Sequence, residues 1–300
     1  MALAHRLPFA FTLFVISLVA LFHYRATLLS ATPAFPKMSP SYPQIVVTGD
    51  SISQQAFKIG GYGAALVDAY QGKADIVNRG MGGYNSRQLL RKLKEDFQYP
   101  TGDIKLFIIH IGTNDATTHG IQHIPVDVFT QNLHATVKFL KETQSSAQII
   151  LITPSTVDSA SWSATGRAMG FPEKFSNNRT PEQANLIRQA VLTVGREADV
   201  AVVDAWKLHD DAVNNGEIKT AELFSDGLHY SVRGYDYLNK ALLATITAKH
   251  PTLSPDSLPE GFTMFMEYDN EGNPEAQMQM QMFAERMEEI KQAALGNTQT

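Results

Sequence analysis

QIVVTGDSISQ, residues 44–54, is a short run of β-branched apolar residues that stops abruptly at Gly49-Asp50-Ser51. Such a run is typical of a buried strand, and the glycine indicates a sharp turn at its end. If a helix follows, Ser51 lies at a strand-to-helix corner, where outward-pointing N–H groups favour developing negative charge. The stretch therefore predicts either a nucleophilic serine or an ordinary helix cap formed by Asp50 or Ser51.

Apolar runs of strand length recur after this stretch and indicate the fold class. They are residues 44–48, 74–78, 105–111, 148–153 and 200–204. Segments with the apolar spacing of helices, such as 129–140 and 184–191, separate them. This alternation favours a parallel sheet with helices on both faces, because right-handed crossovers place the helices there. We therefore expect a three-layer α/β/α domain with a five-stranded parallel sheet.

The composition describes a globular chain of 300 residues, 44% of them hydrophobic and 18% charged. A formal net charge of -5 and the lack of a long Lys/Arg block give no basic surface, so we expect no nucleic-acid partner. The sequence has no cysteine. This excludes disulfides, zinc–thiolate sites and a thiol nucleophile.

The N-terminus carries a targeting signal. Residues 7–22 are almost wholly apolar and follow a histidine and an arginine. Their length lies between that of a signal-peptide core and that of a membrane span. We predict a signal anchor within residues 1–30, with membrane association through residues 7–22 and a location in the secretory pathway. The alternative is a signal peptide that is cleaved before secretion. The sequon Asn178-Arg179-Thr180 agrees with either route.

Composition also predicts the remaining boundaries. A Pro/Ser-rich linker at residues 31–43 precedes the domain, which we place at residues 44–250. Three prolines interrupt the pattern after residue 250, and residues 275–295 then read as a helix rich in Met, Gln and Glu. Its stripe of Met278, Met282 and Met287 is typical of a helix that packs on its own domain or on a partner subunit. The oligomeric state stays open.

The loops that follow the first strands are the expected location of a site, since ligands bind outside the carboxyl ends of strands in open parallel sheets. Those loops contain residues 49–51, 79–85 and 112–115. A longer segment, residues 154–178, follows the fourth strand and contains Trp162, Met169, Phe171 and Phe175. It is either a lid or pocket wall, or a surface excursion that packs its own aromatic residues.

Asp226 and His229 are three residues apart. In a helical turn both side chains would lie on one face, so that the carboxylate accepts a hydrogen bond from Nδ1 and leaves Nε2 free. A serine hydrolase needs such a base beside its nucleophile. The alternative is a local cap or a surface pair.

Acyl transfer also requires preorganised donors for an oxyanion. The loops offer the Ser51 N–H, the Gly83 N–H and the Asn114 side-chain amide. Taken singly, Gly83 and Asn114 are equally typical of turns. Their order after successive strands favours a common site.

Four blocks in this order resemble the GDSL, or SGNH, hydrolases: Gly49-Asp50-Ser51, Gly83, Gly112-Thr113-Asn114-Asp115 and Asp226-x-x-His229. Five neighbouring motifs are similar to the isoamyl acetate-hydrolysing esterase group: GGYGAAL at 60–66, NRG at 78–80, GYNS at 83–86, QHIP at 122–125 and SDGLH at 225–229. The resemblance covers residues 44–248. Gly82 departs from it, since that group usually has a small polar residue there.

The resemblance implies a flavodoxin-like sheet and ester hydrolysis without a cofactor. It makes Ser51 the nucleophile, His229 the general base and acid, and Asp226 the residue that orients His229. Ser51, Gly83 and Asn114 would form the oxyanion hole. Short, acetate-like esters are the first expected substrates, and membrane-derived acyl lipids or thioesters are the alternative.

Two rival hypotheses remain from the sequence. His110, Asp115, His119 and His123 could form a metal site, because two of the histidines are four apart. Gly120 and Pro125 argue against the helix that this spacing needs. Alternatively, the chain could be a membrane-tethered binding or scaffold protein with an idle hydrolase fold, since fold alone does not prove activity.

Overall fold

The computed structural model describes residues 42–261 and 273–296. All strand pairs are parallel, in the order β2-β1-β3-β4-β5. The strands are β1 Gln44–Gly49, β2 Asp75–Gly80, β3 Ile104–His110, β4 Gln148–Ile152 and β5 Ala201–Val203. The predicted five-stranded parallel sheet is confirmed, and its order is that of flavodoxin-like sheets. Strand β2 continues beyond the predicted end at residue 78, because Arg79 and Gly80 still pair with β1 although they break the apolar pattern.

Helices connect the strands and cover both faces of the sheet. They are α1 Ser51–Gln55, α2 Tyr62–Ala69, α3 Ser86–Glu95, α4 Val126–Thr143, α5 Ser159–Ala168, α6 Glu173–Ser176, α7 Pro181–Glu197, α8 Ala205–Asn214, α9 Thr220–Leu223, α10 Val232–Lys249 and α11 Pro274–Gly296, with a 3₁₀ turn at Pro251–Leu253. Thr180 is the N-cap of α7 and Pro181 is its first residue, a combination typical of helix starts.

Each face of the sheet has its own hydrophobic core, because successive strand residues point to opposite sides. Ile45 and Val47 of β1 pack into the core formed with α2, α8 and α10. Val46, between them, packs into the opposite core with α3, α4 and α7. The molecule therefore has the three α/β/α layers that the sequence predicts, and the carboxyl ends of the strands lie free for a site.

The chain stays attached to the domain beyond the predicted boundary at residue 250. Tyr70 Oη donates a hydrogen bond to the Leu253 carbonyl at 2.7 Å, and Lys73 Nζ donates to the Pro255 carbonyl at 2.7 Å. Gly261 N donates to the Gly72 carbonyl at 2.8 Å. In helix α11 the predicted stripe is exposed, with Met278 at 59% and Met282 at 63%.

The predicted signal anchor and nearly all of the predicted linker, residues 1–41, lie outside the described residues. Within residues 42–261 and 273–296, no helix is both long enough and apolar enough to cross a bilayer. The N-terminal anchor and the secretory location stay predictions.

Candidate active site

Ser51 is the first residue of α1, at the corner where β1 ends. Gly49 adopts φ +141, and a Cβ at this position would lie 1.9 Å from the His110 carbonyl oxygen, so the tight corner requires glycine. Asp50 is the N-cap of α1, and its Oδ1 accepts a hydrogen bond from Ile52 N at 2.9 Å. Of the two residues that could cap the helix, Asp50 is therefore the one that does so. The Ser51 hydroxyl is not needed for capping.

That hydroxyl meets His229. Ser51 Oγ lies 2.8 Å from His229 Nε2, and His229 Nδ1 lies 2.7 Å from Asp226 Oδ2. Because a carboxylate can only accept, Nδ1 donates to Asp226, and the neutral ring then presents Nε2 as the acceptor for the Ser51 hydroxyl. The three side chains form the hydrogen-bonded chain that a nucleophile, a base and its orienting group require.

Residues 226–229 form a bend rather than the expected helical turn. Asp226 Oδ1 accepts hydrogen bonds from the backbone N–H groups of Leu228 at 2.9 Å and His229 at 2.8 Å. An antiparallel bridge between Phe224 and Tyr230 closes the bend. Asp226 therefore stabilises the bend through Oδ1 and orients the His229 imidazole through Oδ2.

Asp226 is held in its ionised form. Partial burial raises its pKa, but the hydrogen bonds from the His229 side chain and backbone outweigh that effect and leave the pKa below its ordinary value. The carboxylate can thus stabilise a positive charge that develops on His229 when the imidazole takes a proton.

The predicted oxyanion-hole donors face the same pocket. Ser51, Gly83 and Asn114 all line it together with His229. Gly83 lies between β2 and α3 with φ +79, a conformation that favours glycine. The Ser51 and Gly83 N–H groups have no hydrogen-bond acceptor among the described residues. These two donors are therefore available to an oxygen bound beside Ser51.

Asn114 is held by a residue that sequence reasoning did not select. Arg179 Nη2 donates to Asn114 Oδ1 at 2.9 Å, and Arg179 Nη1 donates to the Thr113 carbonyl. Burial lowers the pKa of Arg179 to about 10, so the guanidinium is still charged at neutral pH. The sequon marks the neighbouring Asn178 as a glycosylation site, yet Asn178 is only 8% exposed and lines the pocket. Its burial makes it a poor glycosylation acceptor in the folded chain.

Two further buried carboxyl groups support the loops. Both Asp115 oxygens accept from Ser86 N, at 2.9 and 3.1 Å, which fixes the start of α3 next to the Gly83 loop. Burial is the main cause that raises the pKa of Asp115 to about 7 and the pKa of Asp50 to about 6.

Residues 154–178 form a wall of the pocket, which has a volume of about 660 Å³. The segment folds into α5 and α6 and contributes Trp162 and Phe171 to the lining. The Trp162 ring lies edge-on to the His229 ring at 6.3 Å. Met169 is 64% exposed, and the side chain of Phe175 lies outside the described part of the chain. Of the two hypotheses for this segment, the pocket wall is the one that the structure supports.

Three residues of the rival metal hypothesis, His110, Asp115 and His123, have separate surroundings. The His110 side chain is fully buried behind the sheet end, and His123 Nδ1 contacts the Thr117 carbonyl. Asp115 binds Ser86 N. In the part of the chain that the structure describes, no three His, Asp or Glu side chains are grouped so that they could hold a metal ion.

Residues 47–237 match the GDSL-like lipase/acylhydrolase family. A GDSL esterase/lipase of Arabidopsis thaliana is 33% identical over 231 residues, which cover 73% of this chain and 91% of the relative. An isoamyl acetate-hydrolyzing esterase 1 homolog of Homo sapiens is 32% identical over 224 residues, which cover 71% and 84%. The resemblance predicted from the sequence motifs is therefore confirmed.

Solved structures share the fold. The lipase/acylhydrolase from Enterococcus faecalis superposes with a TM-score of 0.53 at 24% identity, covering 69% of this chain and 96% of that chain. An acetylxylan esterase from Geobacillus stearothermophilus superposes with a TM-score of 0.53 at 22% identity, covering 69% and 95%. These matches confirm the predicted fold class.

Proposed function

The chain belongs to the GDSL-like lipase/acylhydrolase family and is a carboxylic ester hydrolase, and we propose that it cleaves esters through an acyl-enzyme formed on Ser51. The observation that supports this proposal most directly is the hydrogen-bonded chain from Ser51 Oγ through His229 to Asp226, with distances of 2.8 and 2.7 Å. A cap or a surface pair would not need such an arrangement across 178 residues of sequence.

In the first half of the reaction, Ser51 Oγ attacks the ester carbonyl carbon while His229 Nε2 takes the hydroxyl proton. The carbonyl oxygen becomes an oxyanion, which accepts hydrogen bonds from the Ser51 N–H, the Gly83 N–H and Asn114 Nδ2. Collapse of this intermediate breaks the bond to the alcohol oxygen. His229 returns its proton to that oxygen, and the acyl group stays on Ser51.

In the second half, water attacks the acyl carbon and His229 takes a proton from it. The same donors stabilise the second oxyanion. When the bond to Ser51 Oγ breaks, His229 protonates the serine, and the carboxylic acid is released. Every proton is thus carried by His229, and the cycle needs neither a metal nor an organic cofactor.

The pocket suggests two substrate classes. Short, acetate-like esters are the first proposal, supported by the relatives that are named as isoamyl acetate-hydrolyzing esterase homologs. A longer acyl chain is the second proposal, because Ile121 and Phe171 line the pocket although they are 98% and 50% exposed. Exposed apolar side chains at a pocket mouth favour an apolar ligand.

A series of p-nitrophenyl esters from acetate to palmitate separates the two classes. Short-ester specificity gives a kcat/KM that falls steadily beyond butyrate. A maximum of kcat/KM at acyl chains of eight carbons or more favours the longer chain. Ile121→Ser should then abolish this maximum and leave acetate hydrolysis unchanged.

A fluorophosphonate probe tests the nucleophile. The folded wild type should be labelled at Ser51, and Ser51→Ala should not be labelled. Ser257→Ala, which changes an exposed serine of the domain, serves as the control and should be labelled like the wild type. Absence of labelling in folded wild type would favour the idle scaffold, and labelling of Ser51→Ala would contradict the assignment of Ser51.

A further inference from the structure

We propose that Arg179 is a positioning residue of the oxyanion hole, which orients and polarises the Asn114 amide so that its N–H points at the oxyanion. The inference rests on the proposed function, because it assigns a role within that mechanism. It concerns a residue that lies outside the motifs by which the chain resembles the hydrolases.

The guanidinium of Arg179 is fixed from several sides. Arg179 is 6% exposed, and besides Asn114 and Thr113 it contacts Gln122 Oε1 at 3.3 Å. The Trp162 ring covers it, with 5.1 Å between the Arg179 Cζ atom and the ring centroid. A charged group held in this way has a defined direction, which a flexible surface arginine lacks.

The partners of Asn114 leave a single orientation for its amide. Arg179 has only donors, so it must face Oδ1, and the Tyr84 carbonyl can only accept, so it must face Nδ2. Asn114 Nδ2 donates to the Tyr84 carbonyl at 2.9 Å. One Nδ2 hydrogen then binds Tyr84, and the other is left for the pocket.

Loss of Arg179 would weaken this selection, because only the Tyr84 carbonyl would then distinguish the two orientations of the amide. An amide has nearly the same shape after rotation by half a turn, and its hydrogen-bond partners decide which atom points where. A rotated Asn114 would present Oδ1, an acceptor, to a negatively charged oxygen. The oxyanion would then be repelled by a group that should stabilise it.

The charge of Arg179 also acts through the amide. A hydrogen bond from an ionised donor is stronger than a neutral one, and hydrogen bonds in series strengthen each other in a buried environment. Electron density drawn towards Oδ1 makes Nδ2–H a better donor when the oxyanion forms. Such an effect acts on the transition state more than on the bound ester, so it changes kcat more than KM.

A double-mutant cycle separates this role from a purely structural one. We expect Asn114→Ala to lower kcat for p-nitrophenyl acetate by about a hundredfold, as for other oxyanion-hole donors. Arg179→Met should lower kcat by about tenfold or more, with KM changed by less than about threefold. In the Asn114→Ala background, Arg179→Met should cost less than about threefold in kcat. If the full loss persists in that background, or if Arg179→Met leaves kcat unchanged, the inference is overturned.

Arg188 supplies a matched control. Its guanidinium donates to Asp204 Oδ2 at 2.7 Å, and its side chain is 18% exposed. Arg188→Met should lower thermal stability and leave kcat within about twofold of wild type, because Asn114 keeps its partners.

If Arg179→Met does not fold, Arg179→Lys replaces it in the same cycle. Lysine keeps the charge but lacks the planar fork that binds Asn114 and Thr113 together, so kcat should fall and the coupling to Asn114→Ala should remain. Suppose that the wild type hydrolyses the ester, that Ser51→Ala does not, and that the losses in the cycle are additive. This result refutes only the role of Arg179 and leaves the proposed function standing. An inactive wild type refutes the proposed function itself.

Discussion

Asp50 and Ser51 are adjacent, yet their side chains have different tasks at the strand-to-helix corner. Asp50 turns inwards, caps α1 and is fully buried, whereas Ser51 faces the pocket and His229. Asp115 does similar supporting work on the neighbouring loop through Ser86 N. The site thus keeps two buried carboxyl groups, and burial raises the pKa of both.

Asp115→Asn should change how stability depends on pH. An unfolded aspartate titrates near pH 3.9, whereas burial raises the pKa of folded Asp115 to about 7. Between these values the folded state binds more protons than the unfolded state, so this group lowers the free energy of unfolding as pH rises. From pH 5 to pH 7 we expect the free energy of unfolding of Asp115→Asn to fall by about 2 kcal/mol less than that of wild type. Denaturant unfolding at both pH values measures this.

The contribution of Asp115 to the pH dependence of the free energy of unfolding is given only by the difference between the variant and the wild type. Burial lowers the pKa of His110 to about 3, so His110 makes the folded state less stable as pH falls below about 6.5, the opposite direction. Asp256→Asn, at an exposed position, is the control and should follow the wild-type curve. Parallel curves for Asp115→Asn and wild type would contradict the prediction.

At the level of elements, the bend that carries Asp226 and His229 rests against helix α5 of the pocket wall. Asp158 N donates to the Gly227 carbonyl at 2.9 Å, and Thr165 Oγ1 donates to the Asp226 carbonyl at 3.2 Å. A Cβ at Gly227 would lie 2.3 Å from Trp162 N. The bend and α5 therefore fit together only if residue 227 is glycine.

Gly227→Ala should lower kcat/KM by on the order of tenfold or more, since either the bend or α5 has to move and small misplacements of catalytic groups cost much activity. Gly216→Ala is the matched control. Gly216 has φ +75 and Gly227 has φ +95, but a Cβ at Gly216 would have no heavy atom within 4 Å. Both variants carry the backbone cost of a left-handed residue, about 1–2 kcal/mol. Equal activities of the two variants, measured as ester hydrolysis, would refute the contact argument.

At the scale of the whole molecule, the parallel sheet gathers residues that are far apart in sequence. Ser51 follows β1, Gly83 follows β2 and Asn114 follows β3, and these strands are neighbours in the sheet. His229 joins them from the segment between α9 and α10. The site therefore exists only when nearly the whole domain is folded, and its members should act as one unit.

Ser51→Ala and His229→Ala should accordingly show non-additive losses. In the proposed mechanism each variant removes the same step, the generation of the nucleophile. Each should therefore reduce kcat to a similar floor, and the double variant should lie at that floor. Steady-state hydrolysis of p-nitrophenyl acetate measures all three. Losses that multiply in the double variant would show that the two residues work independently.

The architecture, the family and the candidate catalytic residues could all be predicted from the sequence. Strand-length apolar runs that alternate with amphipathic segments are local patterns. They predict a parallel sheet because its strands are buried on both faces and therefore need continuous apolar runs. The loops at the strand ends then identify Ser51, Gly83 and Asn114 as neighbours, since parallel strands end at one edge. Asp226 and His229 were found because a pair three residues apart is visible without any long-range contact.

The contacts that hold these residues in place could not be predicted from the sequence. The link from Arg179 to Asn114 spans 65 residues and follows no periodic pattern, and the sequon drew attention to its neighbour instead. Trp162 likewise contacts Arg179 and His229, which are both distant from it in sequence. The bend at Asp226 replaced the expected helical turn, and it packs against α5. The physical reason is that an amide orientation or a pocket wall depends on which groups meet in space. Local sequence patterns report the face of an element that is buried, but they do not report its partner.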